Sequence, residues 1–133
     1  MATVKDTGVK IRIREFFPFL NKETIDLGVL IRFDFTNESD APLTFTQACH
    51  TSVYQNGLPC TRDHYIPCPY HDTGSSLRAV MPGTTATVDM LYEFPHFPSS
   101  PCELEVVAIP HSGSGEYLRE TIIINNLEKE LRT

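Results

Sequence analysis

Ile25-Asp26-Leu27-Gly28-Val29-Leu30-Ile31-Arg32-Phe33-Asp34-Phe35 decides the fold class. Ile25, Leu27, Val29, Ile31, Phe33 and Phe35 form an unbroken apolar series at every second position. Asp26, Arg32, Asp34 and Thr36 fall between them, with Leu30 the exception. Side chains alternate sides along a strand, so the spacing predicts one dry face and one wet face. A helix would scatter the six apolar residues around its axis.

The same period extends in both directions. Toward the N-terminus, Val9, Ile11 and Ile13 alternate with Lys10, Arg12 and Arg14. Toward the C-terminus, the run from Thr36 to Pro42 is rich in turn-forming residues. A third strand is expected next, with Leu43, Phe45, Cys49 and Val53 on one face and Gln47 and Thr51 interrupting it. Asn56-Gly57 tolerates positive φ and signals a hairpin, with Leu58 to about Thr61 returning as a short strand. Residues 62–83 lose all period, carry Pro67, Pro69, Pro82, Gly74 and Gly83, and read as a long loop.

Three more strands follow: Thr85 to Phe94, Cys102 to Ile109, and Tyr117 to Ile124. Their inward series are Ala86, Val88, Met90, Tyr92 and Phe94, then Leu104, Val106 and Ala108. Residues 125–133 form a short tail with Leu127 and Leu131 one helical turn apart. About seven short strands with turn signals between them predict an all-β, immunoglobulin-like Greek-key β-sandwich, a single domain over residues 1–133. The Trp and the Cys on the second strand that mark antibody domains are both missing.

The 133 residues carry a formal net charge of -6 with a pI near 5.2. An acidic chain with no Lys/Arg cluster is not expected to bind nucleic acid, since phosphate contacts need clustered cations. No apolar run approaches the roughly 20 residues that span a bilayer, so no membrane-spanning segment is expected. The stretch Met1 to Val9 has no signal-peptide core. The chain is therefore expected to be cytoplasmic if Met1 is the native start, or a mature domain without its signal.

A set of short elements carries a family resemblance. Phe33-Asp34-Phe35-Thr36-Asn37-Glu38-Ser39-Asp40 leads to a strand ending Tyr54-Gln55-Asn56-Gly57. Met81-Pro82-Gly83 precedes a Thr/Val strand, then come Tyr92-Glu93-Phe94 and Ser99-Ser100-Pro101 before Glu103 to Val106. Over roughly residues 9–109 the chain resembles the immunoglobulin-like domain-of-unknown-function family 5067 of Gram-positive bacterial lipoproteins. The resemblance implies an extracytoplasmic sandwich at the cell surface and brings no catalytic residues.

Two groups of residues are candidates for function. Cys60, His64, Cys68 and His71 lie within twelve residues and offer two thiols and two imidazoles, the donor set of a structural zinc site. The same cysteines, with Cys49 and Cys102, can instead be free thiols or disulfide partners. Phe16, Phe17 and Phe19, with Phe94, His96 and Phe97, are expected to gather with the Asn56-Gly57 turn at one end of the sandwich. Aromatic residues are favoured anchors of protein contacts. No phosphate loop, nucleophile elbow or zinc-protease motif is present. The expected function is a non-enzymatic interaction module that contacts a protein partner, or itself, through loops, with no cofactor. The alternative is a small-ligand or metal-binding protein that uses the Cys/His loop, phage-encoded and acting against a host defence.

Overall fold

In the computed structural model, residues 8–62, 67–111 and 115–133 are described, together with the backbone of Ala2–Thr3. The strands are β1 (Ala2–Thr3), β2 (Val9–Asn21), β3 (Asp26–Asn37), β4 (Cys49–Gln55), β5 (Leu58–Pro59), β6 (Thr61–Arg62), β7 (Thr84–Glu93), β8 (Cys102–Pro110) and β9 (Leu118–Ile124). Two single helical turns, α1 (Phe45–Ala48) and α2 (Leu127–Glu130), and a 3-10 turn at Ser75–Leu77 complete the described elements. No helix among the described residues is long and apolar enough to cross a membrane.

The strands form two antiparallel sheets packed as a sandwich. One sheet has the order β2-β3-β7-β6 and the other β1-β9-β8-β4-β5. Consecutive strands β3 and β4 lie in different sheets, as do β5 and β6, β6 lying in the same sheet as β7. This is the crossing pattern of an immunoglobulin-like Greek key. Cys60 sits at the β5–β6 crossing, with its N–H donating to the Val53 carbonyl (2.8 Å) and its side chain in the core.

The core between the sheets is built from the series read in the sequence. Ile11, Phe35 and Ala86 share one row, Ile13, Phe33 and Val88 the next. Leu104, Val106 and Ala108 oppose them from β8. A hydrogen bond between the Tyr92 hydroxyl and Thr51 Oγ1 crosses this core.

Three expectations need correction. Ile25 is no strand residue; it ends the β2–β3 turn, 79% exposed. Phe45 to Ala48 is a helical turn rather than strand. Thr44 and Gln47 close a reciprocal capping box (Gln47 N–H to Thr44 Oγ1 3.1 Å, Thr44 N–H to Gln47 Oε1 2.9 Å), which outweighs the weak alternation there. Phe16, Phe17 and Phe19, expected at one end of the sandwich, lie in the second half of β2. Pro18 is tolerated in it because β2 is an edge strand.

That last point turns on one residue. Ile13 pairs with Phe33 and Glu15 with Arg32, so Arg14 is an extra residue, a β-bulge. A one-residue slip sends every later side chain to the other face. Before the bulge, odd-numbered residues face the core. After it, Phe16 faces the core, while Phe17 and Phe19 point outward.

Candidate functional site

The outward face of the β2-β3-β7 sheet is read in rows. Arg12 and Asp34 pair at 2.9 Å, joined by Arg14 at 3.3 Å. Burial works against ionised Asp34, but the two guanidinium groups outweigh it and hold the carboxyl below its usual range. The next row is Glu15, Arg32 and Asp89. Arg32 grips the buried Asp89 through Nε (2.7 Å) and Nη2 (3.1 Å) and also donates to the Tyr70 carbonyl (2.9 Å). Asp89 accepts the Asp72 N–H (2.9 Å), and its own N–H donates to Ser75 Oγ (2.9 Å). This ion pair pins the loop after β6 across the sheet.

The row below is apolar: Phe17, Leu30 and Leu91, with Phe19 beyond. All four are buried, with Cys68 packed against them. Tyr70 meets Phe17 and Phe19 edge-on at 5.4 and 6.0 Å. The Arg132 guanidinium lies 3.8 Å over the Phe17 ring. This second cluster explains the Leu30 exception, and the both-parity apolar run Phe16 to Leu20 was its other signal in the sequence. Beside the cluster, an opening of about 580 Å³ is lined by Phe19, Leu20, Pro67, Cys68 and Pro69 among others.

Of the four candidate zinc ligands, the structure separates Cys60 from Cys68. Cys60 faces the main core, whereas Cys68 packs on the opposite side of the sheet. His64 lies outside the described residues, and His71 is half-buried, with its N–H donating to the Cys68 carbonyl (3.2 Å). Among the described residues, no three His, Cys, Asp or Glu converge on a metal position. All four cysteines are free thiols. Burial pushes the Cys49 and Cys60 thiols up to about 12, and raises Cys68 and Cys102 as well.

The aromatic end is likewise redistributed. Phe16 and Phe94 pack on the main core and Phe17 and Phe19 on the outer cluster. Only His96 and Phe97 remain exposed, with the His96 N–H donating to the buried Gln55 Oε1 (3.2 Å). Phe97 is 82% exposed and shares a notch of about 200 Å³ with Ile25, Asp26, Leu27, Phe94 and Pro95 among others. Sequence reasoning missed Ile25 because it continued the strand alternation. Asn21 fixes its turn: the side-chain oxygen accepts the N–H groups of Glu23 (3.0 Å) and Thr24 (3.1 Å), and its carbonyl accepts the Ile25 N–H (2.8 Å). Ile25 is held at φ 58°, a left-handed conformation that a β-branched residue adopts only under strain.

Among the described residues, the outward face of the other sheet is more open. Tyr54, Glu103, Glu105, Arg119 and Thr121 line a groove of about 590 Å³ there. Arg119 pairs with Glu105 (2.9 Å) and with Glu116, all three partly or largely exposed.

No family model matches this chain, and no curated protein matches it. Among solved structures it is similar to a putative lipoprotein from Staphylococcus aureus subsp. aureus NCTC 8325. The TM-score is 0.66 at 11% sequence identity, with 93% of this chain and 87% of that one covered. At that identity the likeness shows the β-sandwich fold alone.

Proposed function

We propose that this chain is a non-enzymatic interaction module that contacts a protein partner through the β2–β3 and β7–β8 loops. One observation carries the reading: Ile25 and Phe97, the two most exposed of the large hydrophobic residues described, meet across one notch on two separate loops. Exposed apolar side chains standing together at a loop end are what interface anchors look like before binding. The backbone strain at Ile25 supports it, because strain held at an exposed residue brings no packing in return. The raised thiols support a role outside catalysis, since a nucleophilic cysteine works as the thiolate. The resemblance to family 5067 and the likeness to a lipoprotein support a place at a bacterial cell surface.

The test is photo-crosslinking from position 97 in cells of the native source, with position 121 on the more open sheet face as the control. A discrete protein adduct from position 97, lost when Ile25→Asn is added, is the expected result. Adducts of equal yield from both positions would overturn the reading.

A second reading has its own observation, the 580 Å³ opening beside Cys68. Its apolar walls suit a small apolar ligand. A native mass with a single stoichiometric adduct, lost in Phe19→Ala, would favour it.

A further inference from the structure

The flank of the sandwich between β4 and β6 is open among the described residues. β8 pairs with β4 from Cys49 to Gln55, whereas β5 pairs with it only at Tyr54 and Gln55. The chain then leaves that sheet at Cys60, whose N–H still reaches the Val53 carbonyl (2.8 Å) before β6 joins the other sheet. Backbone groups point to alternate sides along a strand. The Thr51 N–H and carbonyl therefore share the direction of the Val53 carbonyl, away from β8. Among the described residues, no strand pairs with Thr51 on that side.

A recess of about 420 Å³ lies at this edge, lined by His50, Thr51, Pro59, Cys60, Arg62 and Tyr92 among others. Thr51 and Tyr92 are buried and joined through their hydroxyls. Two hydroxyls carry two hydrogens, and the bond between them uses one, which leaves the other to donate elsewhere. Arg62 is exposed, and among the described residues no carboxylate lies within ion-pair distance of it. No Asp or Glu among them lines the recess, although the chain carries a formal net charge of -6.

We infer that this edge is a docking site for an extended, acidic segment of a partner protein, which pairs its backbone with Thr51 as an added strand and sets a carboxylate on Arg62. Two observations choose that occupant. An N–H and a carbonyl on one residue match a peptide backbone, whereas a small acid would leave the carbonyl unanswered. The unopposed guanidinium selects a carboxylate over a neutral or basic side chain. The recess and the Ile25–Phe97 notch share no lining residue among those described, so either can stand without the other.

The test is an NMR titration of the isotope-labelled full chain with a capped synthetic peptide of threonine, valine, glutamate, valine and threonine. Saturable amide shifts at Thr51, Ser52 and Arg62 are expected, with hydrogen exchange of the Thr51 amide slowed about tenfold at saturation. The same peptide with lysine in place of glutamate should bind about tenfold more weakly. Arg62→Gln, at an exposed position, should erase the difference between the two peptides and leave the rest of the spectrum unchanged. No saturable shift at Thr51, equal binding of both peptides, or a preference that survives Arg62→Gln would overturn the inference. Equal protection of the Thr51 amide by N-acetylglutamate would make this a small-acid site and overturn the strand pairing. A dimer of the free chain that Arg62→Gln abolishes would put a second copy at this edge and overturn the assignment to a partner.

Discussion

The two outward faces of this sandwich hold similar materials to different ends. On the β2-β3-β7 sheet, Arg32 and Asp89 are covered by the loop from Pro67 to Val80, and Phe17, Leu30 and Leu91 lie dry beneath Tyr70 and Arg132. On the β9-β8-β4 sheet, Arg119, Glu105 and Glu116 pair in the open, with Tyr54 and Thr121 beside them. An ion pair in water adds little, whereas a covered one is costly to break and holds its cover in place. The covered face is thus a second core, and the other face, among the described residues, a more solvated surface.

Four substitutions probe that contrast. Leu30→Ala should cost about 2–5 kcal/mol, as for a residue between the sheets. Urea unfolding measures it, and a loss no larger than that of Thr121→Ala, expected within about 0.5 kcal/mol of zero, would make the outer cluster superficial. Asp89→Ala removes the carboxylate that Arg32 grips and the acceptor of the Asp72 N–H, with an expected loss of about 3 kcal/mol. Hydrogen exchange should quicken across residues 72–78 while β8 stays protected. Ile25→Asn should raise stability by about 1 kcal/mol by relieving the left-handed isoleucine, since Asn tolerates that conformation. A lower melting temperature would place Ile25 among structural residues and weaken its role as an anchor.

The smallest effect concerns pH. Asp34 has a lowered folded pKa, so its contribution is complete above the unfolded carboxylate value, near 3.9, and is lost as pH falls through the folded value. Asp34→Asn should flatten the acid limb of the stability curve, read from urea unfolding as a function of pH.

Much of the sandwich was legible because burial imposes a period of two. Ile11, Phe33, Val88 and Val106 stand where alternation puts them. The outer cluster was half-legible: Leu30 broke the alternation and Phe16 to Leu20 was apolar on both parities. The bulge at Arg14 was not, because an inserted residue looks like any other polar residue until its partner strand is known. The alternative of a zinc shell drew on sequence proximity alone. Between Cys60 and Cys68 the chain goes from the space between the sheets to the outside of one of them, and eight residues are ample for that. The aromatic end failed for the same reason that the bulge did. Ile25 was hidden by continuing a pattern that the backbone had already left.

Asn37 opens the tripeptide Asn37-Glu38-Ser39, which reads as an acceptor for N-linked sugar. Its side chain is fully buried, with the amide nitrogen on the carbonyls of Ala41 (2.9 Å) and Val80 (2.8 Å) and the oxygen on the Ser39 N–H (3.0 Å) and hydroxyl (2.6 Å). Folding and glycosylation therefore exclude each other at this residue. Made in a eukaryotic secretory pathway, the chain becomes a clock: the fraction bearing sugar at Asn37 measures how often the transferase arrived before β3 closed, and every glycosylated molecule is one barred from this native state.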